Sequence, residues 1–297
     1  MKLIRFGAAG KEQPGIVNDD GIWLDCSAFG TDWNESFFAN GGPEALAGWL
    51  ESNRPSCPVV PAHTRLGPPV ARPSKLVCVG LNYVTHAREA GMEIPDEPVL
   101  FMKSTTSICG PFDDIVIPRI RSATGEEVAA QQTDWEVELA IVIGRECVRL
   151  SEQEAMDHVA GYVLHNDVSE RETQLHRSGQ WVKGKSFDSF APLGPWLVTP
   201  DEIPDPGQLA LWLKLNGEVM QNDNTREMIF PLPELIRYVS WHMRLLPGDI
   251  ITTGTPFGVG MGLRPERYLR AGDEIELGIE GLGIARQRVT CDIDAMA

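Results

Sequence analysis

The chain has 297 residues, 42% of them hydrophobic, and its 42 acidic side chains against 26 basic ones leave a net charge of −16. That is apolar material for one large domain or for a large and a small one, and the negative balance argues against a polyanionic partner, because generic nucleic-acid binding is phosphate neutralisation by Lys and Arg. No run approaches the roughly 18 apolar residues of a membrane span, and the opening MKLIRFGAAGKEQPG lacks the apolar centre of a secretory signal, so a cytoplasmic protein is expected. The six cysteines are scattered without a C-x-x-C pair, which suggests neither a zinc knuckle nor a disulfide framework.

Short strand-like pieces come first: LIRFG, GIVN and GIWLDC, the last two joined by the turn signal Asn18-Asp19-Asp20-Gly21. A helix is predicted around Glu44 to Leu50. Between Pro55 and Pro73 the chain also carries Pro58, Pro61, Pro68 and Pro69 with almost no periodicity, which reads as a connector between a small N-terminal unit, residues 1–71, and a main domain, residues 72–297. The main domain opens with the strand KLVCVG and the helical THAREAG, with Gly91 as its stop. PVLFMK and the Ile115–Ile117 alternation are further strands, and RSATGEEVAAQQ reads as a loop.

Next comes TDWEVELAIVIG, Thr133 to Gly144, whose alternate faces both turn apolar after Glu138, as in a strand covered on both sides. Ser151 and Glu154 then form a capping box. YVLHNDVSE is a strand leading into the helix-prone RETQLHRSG. LGPWLVT and LALWLKLNGEVM follow as strands, the second closed by the hairpin signal Asn216-Gly217. PELIRYVSWHM, opened by Pro233, is an amphipathic helix, and GDIITTG and GDEIELGIEG are the last two strands. Many short strands and few helices predict a β-rich α+β fold and not a doubly wound sheet.

Glu136 and Glu138 stand at the mouth of an interior and point the same way. Desolvation and mutual repulsion would raise their pKa values unless a bound cation, a shared proton or a pair of basic residues intervenes. Asp167 repeats the anomaly, a carboxylate at the end of an apolar segment. Three carboxylates without a thiol or clustered imidazole suit a hard ion with oxygen ligands, such as Mg²⁺ or Mn²⁺.

The E-x-E strand, the later Asp, GLNYVTHAREAG upstream, GKSFDSFAPLGP between and TTGTPFGVG near the end occur in the order that marks the fumarylacetoacetate hydrolase family, a resemblance covering roughly residues 72 to 290. The chain looks most similar to the bacterial branch of acylpyruvate and 2,4-diketo-3-deoxy-sugar-acid hydrolases. The resemblance implies a β-rich roll with a small N-terminal domain, a homodimer, and metal ligation by Glu136, Glu138 and Asp167. The family's upstream fourth acidic ligand has no counterpart in VGLNYVTH. His86 and Glu89 lie one helical turn apart, so Glu89 can orient the imidazole while His86 takes a proton from water. Lys183 and Lys185, two apart, would face the same way on a strand; the G-K-S-F motif selects Lys185 to hold a developing oxyanion or enolate. Gln174 matches a glutamine contacting the substrate oxygen, and Thr255, in TGTPFGVGMG, a carboxylate-binding position. That glycine-rich segment lacks the Gly-Lys-Ser/Thr ending of a phosphate loop.

The implied reaction is hydrolysis of a carbon–carbon bond in a 2,4-diketo acid, giving pyruvate and a second acid. Oxaloacetate decarboxylation, dehydration of a 2-keto-3-deoxy acid and keto-acid isomerisation are alternatives on the same scaffold. A non-catalytic metal-binding module or a sugar- or nucleotide-binding protein is disfavoured by the His86–Glu89 pair and by the missing phosphate loop.

Overall fold

The structure is a computed structural model of the chain that describes residues 1–89, 91, 93–122 and 124–292. The strand Val137–Ile143 lies at its centre, and every one of its seven residues is buried. It pairs antiparallel with Val159–Asn166 on one side and with Ile250–Thr252 on the other. The sheet continues through the parallel strand Leu76–Gly80 to Val99–Lys103 at one edge. In the other direction it passes Leu197–Val198 to the N-terminal strands Lys2–Phe6, Gln13–Val17 and Trp23–Asp25, making ten strands with Leu66–Gly67, which pairs with Lys2–Phe6.

The alternation of the central strand divides the core. Val137, Leu139, Ile141 and Ile143 face a cluster built with the second sheet, whose strands Ala210–Leu215 and Glu274–Ile279 supply Leu211, Leu213, Ile275 and Leu277, and with the helix Leu232–His242. Ala140 and Val142 face the opposite cluster, where Trp33, Phe37, Leu46 and Leu50 come from the N-terminal segment. A strand sandwiched in this way can be apolar on both faces. Glu138 shares its face with Ala140 and Val142, one residue pair nearer the strand's open end.

The predicted strand-rich mixed fold is what the chain forms, and Asn216 and Gly217, at φ 52° and 82°, make the tight turn between Ala210–Leu215 and Glu218–Asn224. Two local expectations are corrected. RSATGEEVAAQQ, read as a loop, contains a strand, Glu127–Ala129, that pairs antiparallel with Arg119–Arg121. Lys183 and Lys185 lie on a short helix, Val182–Lys185, and not on a strand. The sequence reading also missed the helix Glu35–Ala39, capped by Asn34, and the nine-residue strand Gly283–Cys291. Among the described residues no helix is long and apolar enough to cross a membrane.

Candidate active site

Strand register brings the three acids together. In the central pair, Val137 faces Asn166 and Glu138 faces His165. Just past the strand ends the backbone N–H of Asp167 donates to the Glu136 carbonyl at 2.9 Å, and the Glu136 N–H donates to Asn166 Oδ1 at 3.1 Å. Residues some thirty positions apart thereby become neighbours. Glu136, Glu138 and Asp167 are 5%, 1% and 0% exposed, and one carboxylate oxygen from each lies within 4.8 Å of the other two.

Basic residues compensate two of the three. Lys185 Nζ sits 2.8 Å from both Glu136 Oε2 and Asp167 Oδ2. Lys103 Nζ, at the end of the edge strand, is 2.5 Å from Asp167 Oδ1 and donates to the Val168 carbonyl at 2.9 Å. Arg171 Nη2 bridges Glu136 Oε1 at 2.7 Å and Asp134 Oδ2 at 2.8 Å. Burial alone would push the Glu136 and Asp167 carboxyls up, but Lys185 and Arg171 hold the first below the usual range, and Lys103 and Lys185 hold the second well below it.

Glu138 has far less help, Lys185 attracting it only from beyond ion-pair distance. Among the described residues no basic side chain lies in ion-pair range, and its Oε2 accepts one hydrogen bond, from the Gly254 N–H at 3.2 Å. Burial first, then Asp167 and Glu136, push its pKa well above the ordinary value. A buried carboxylate in that state needs a proton or a cation. Three convergent oxygen donors, one of them uncompensated, fit a hard divalent ion.

His86 reaches the same place on the helix Val84–Glu89. Asn82 fastens the start of that helix to the core: its carboxamide donates to the carbonyls of Thr253 at 2.8 Å and Phe230 at 3.1 Å, and accepts from the Phe230 N–H at 2.8 Å. Glu89 Oε2 lies 3.5 Å from His86 Nδ1, an ion-pair contact that is long for a hydrogen bond. Catalytic contacts of this kind often tighten only in the substrate complex. Glu89 is itself fixed by the Gly258 N–H, which donates to both carboxylate oxygens at 3.0 and 3.1 Å. Gly262 packs so close that an added Cβ would lie 2.2 Å from Glu89 Cδ.

A cavity of about 200 Å³ opens here, and its polar lining is His86, Glu136, Glu138, Arg171, Gln174, Lys185 and Thr255. Lys183 points away and donates to the Arg177 carbonyl, as its exposed position predicts. The carboxamide oxygen of Gln174 accepts from Arg171 Nη1 at 3.1 Å. Thr255 lines the cavity, but its hydroxyl is committed inside the protein: it donates to the Val137 carbonyl and accepts from Gln221 Nε2, both at 2.9 Å. The glycine-rich segment likewise spends its amides on protein carboxylates, Gly254 on Glu138, Gly258 on Glu89, and Gly260 and Met261 on Asp134.

Residues 75–290 match the family described as fumarylacetoacetate (FAA) hydrolase, C-terminal. The chain belongs to the fumarylacetoacetate hydrolase family. It is 51% identical over 284 residues to a protein of Burkholderia multivorans, spanning 95% of this chain and 96% of that one. Among solved structures it is similar to the fumarylacetoacetate hydrolase of Exiguobacterium antarcticum, at 34% identity and a TM-score of 0.82, covering 98% of this chain and 99% of that one. It is also similar to maleylpyruvate hydrolase from Sphingobium sp. SYK-6, solved with manganese(II) and pyruvate, at 30% identity and a TM-score of 0.79, covering 98% and 99%. The strand-rich fold of this family member is therefore shared along nearly the whole chain.

The sequence reading did not single out Asp134, Lys103, Arg171 or Asn82. Lys103 carried a usable signal, a charge closing the apolar strand PVLFMK, which is the anomaly that marked Asp167. Arg171 carried none, because a basic residue in a polar run is ordinarily exposed.

Proposed function

We propose that this family member is a metal-dependent hydrolase that cleaves a carbon–carbon bond of a 2,4-diketo acid, releasing pyruvate and a second acid. The observation that carries the reading is that a candidate general base, His86 backed by Glu89, lines one small cavity with Glu136 and Glu138 of a buried carboxylate cluster suited to a hard cation. Mg²⁺ or Mn²⁺ held by Glu136, Glu138 and Asp167 would supply Lewis acidity toward the 2-keto end of the substrate. The manganese and pyruvate in the Sphingobium maleylpyruvate hydrolase support that choice of ion and product.

The chain's own residues do the rest. His86 removes a proton from water as the oxygen adds to the 4-keto carbon, and Glu89 stabilises the imidazolium that forms. The bond between carbons 3 and 4 then breaks, its electron pair leaving with the three-carbon fragment as an enolate. Lys185, buried beside Glu136 and Asp167, offers that fragment positive charge. A proton returned to carbon 3 gives pyruvate, and carbon 4 leaves as the carboxyl of the second acid. We assign the substrate oxygens to Gln174 and Lys185, which line the cavity, and not to Thr255, whose hydroxyl bonds inside the protein. A panel of 2,4-diketo acids, oxaloacetate and 2-keto-3-deoxy acids, assayed with Mn²⁺ or Mg²⁺ and with a chelator, tests the reading. Chelator-sensitive release of pyruvate from a 2,4-diketo acid is expected, and none from any of them would sink it.

The crowding at Gly262 gives a second handle. Gly262→Ala should displace the Glu89 carboxylate from His86 without disturbing the core. Its turnover should fall as far as that of Glu89→Gln, by less than the roughly 100-fold loss of a general base, while its thermal melting stays close to wild type. Full turnover in Gly262→Ala would show that the position of Glu89 does not matter.

A further inference from the structure

Resting on the hydrolase reading above, we propose that the substrate's acyl tail beyond carbon 4 is uncharged and apolar, and that Phe101, Leu175 and Trp181 select it. The site would then take 2,4-diketo monocarboxylic acids with alkyl or aryl tails and reject dicarboxylic ones.

The cavity is chemically two-sided. Besides its polar groups the cavity is lined by Val79, Leu81, Phe101, Leu175, Trp181 and Met261. The two sides meet at Lys185, whose Nζ lies 5.0 Å from the centroid of the Phe101 ring. Phe101 packs edge to face against Trp181, with centroids 5.3 Å apart and planes at 63°. The Trp181 indole in turn lies against Gly80, where an added Cβ would come within 2.6 Å of its ring. Glycine there lets the ring close over the strand.

Among the described residues the cations lining the cavity are engaged before a tail arrives, and the one assigned to substrate, Lys185, serves the enolate end. Lys185 and Arg171 are the lysine and arginine that line the cavity, and each is already held between two carboxylates: Lys185 between Glu136 and Asp167, Arg171 between Asp134 and Glu136. A terminal carboxylate would be buried against aromatic and aliphatic carbon with no partner, which proteins avoid at high cost. A methylene in the same place gains about fourfold in affinity from its burial.

The decisive measurement uses the Mn²⁺-loaded full-length protein and a matched pair, 2,4-dioxooctanoate and 2,4-dioxooctanedioate, which differ in whether the chain ends in methyl or carboxylate. Both kcat/KM for pyruvate release and Kd by calorimetry are read. The monoacid is expected to be favoured by at least about 100-fold, the scale of leaving a buried charge unpaired. Trp181→Arg and, separately, Leu175→Arg should each narrow that ratio at least tenfold by placing a cation on the wall. Equal use of the two acids by the wild type, or an unchanged ratio in whichever of the two variants folds, overturns the inference. If neither acid is cleaved but the monoacid binds far more tightly, the hydrolase reading fails and the apolar tail site stands. If both are cleaved equally well, the reverse holds.

Discussion

Glu138→Gln is expected to weaken divalent-ion binding by at least about 100-fold, since losing even an outer-shell partner of a metal ligand costs 10–100-fold, and to remove turnover with it. The reason lies in the pairing around the cluster. Glu136 and Asp167 keep their charge through Lys103, Lys185 and Arg171, whereas among the described residues Glu138 has no ion-pair partner and accepts from the Gly254 N–H. The ion-free protein thus carries one carboxyl whose folded-state pKa is raised by burial and by the neighbouring acids. A group raised in this way stabilises the fold below its unfolded value, about 4.3 for Glu, and that stability is lost as pH rises through the folded value. In the absence of metal, wild type should lose stability with rising pH across that window, and Glu138→Gln should not. Added Mn²⁺ should reverse the order, because ligand at a hundred times Kd stabilises the wild type by about 2.7 kcal/mol and the variant by far less. Melting curves against pH, with and without Mn²⁺, together with titration calorimetry, read both effects. A variant that binds Mn²⁺ as tightly as wild type would mean that the trio is structural.

The same residues show what the sequence could and could not disclose. Glu136, Glu138 and Asp167 stood out because local pattern alone makes a carboxylate improbable at the end of an apolar strand, and the burial of all three agrees with that pattern. Their compensation was not visible. Lys103, Arg171 and Lys185 come from a strand end, one short helix and another, and reach the cluster only through tertiary packing. Lys185 was found through its motif, while the geometry offered for it was wrong: on a helix, residues two apart diverge, which is how Lys183 ends exposed and Lys185 buried. The strand Gly283–Cys291 escaped because its inward positions include Ala285 and Gln287 and its outward ones Ile284, so the hydrophobic alternation is blurred. The N-terminal strands were legible as strands, but not their joining the central sheet through Lys2 opposite Val198, a pairing across nearly two hundred residues.

The second large effect is expected from His86→Ala, and its value lies in what it spares. Hydrolysis puts water oxygen on carbon 4, so in ¹⁸O-water the carboxyl of the second acid should carry label. Decarboxylation of oxaloacetate needs the polarised 2-keto group and a proton donor, and no activated water. Its geometry makes His86 the candidate for that water: it is buried, lines the cavity with the acids, and has Glu89 at its Nδ1. It also stands outside the carboxylate cluster, so its removal should leave Mn²⁺ affinity near the wild-type value. His86→Ala should therefore lower diketo-acid cleavage by roughly 100-fold or more, the scale of losing a general base, while keeping a substantial part of any oxaloacetate decarboxylation. Damage to the fold or to the metal site would depress both activities together, so the differential loss isolates the base. If both fall in parallel with Mn²⁺ affinity intact, His86 serves a step common to the two reactions. Should the wild-type protein turn over oxaloacetate far faster than any 2,4-diketo acid, decarboxylation takes the place of hydrolysis as the activity of this site.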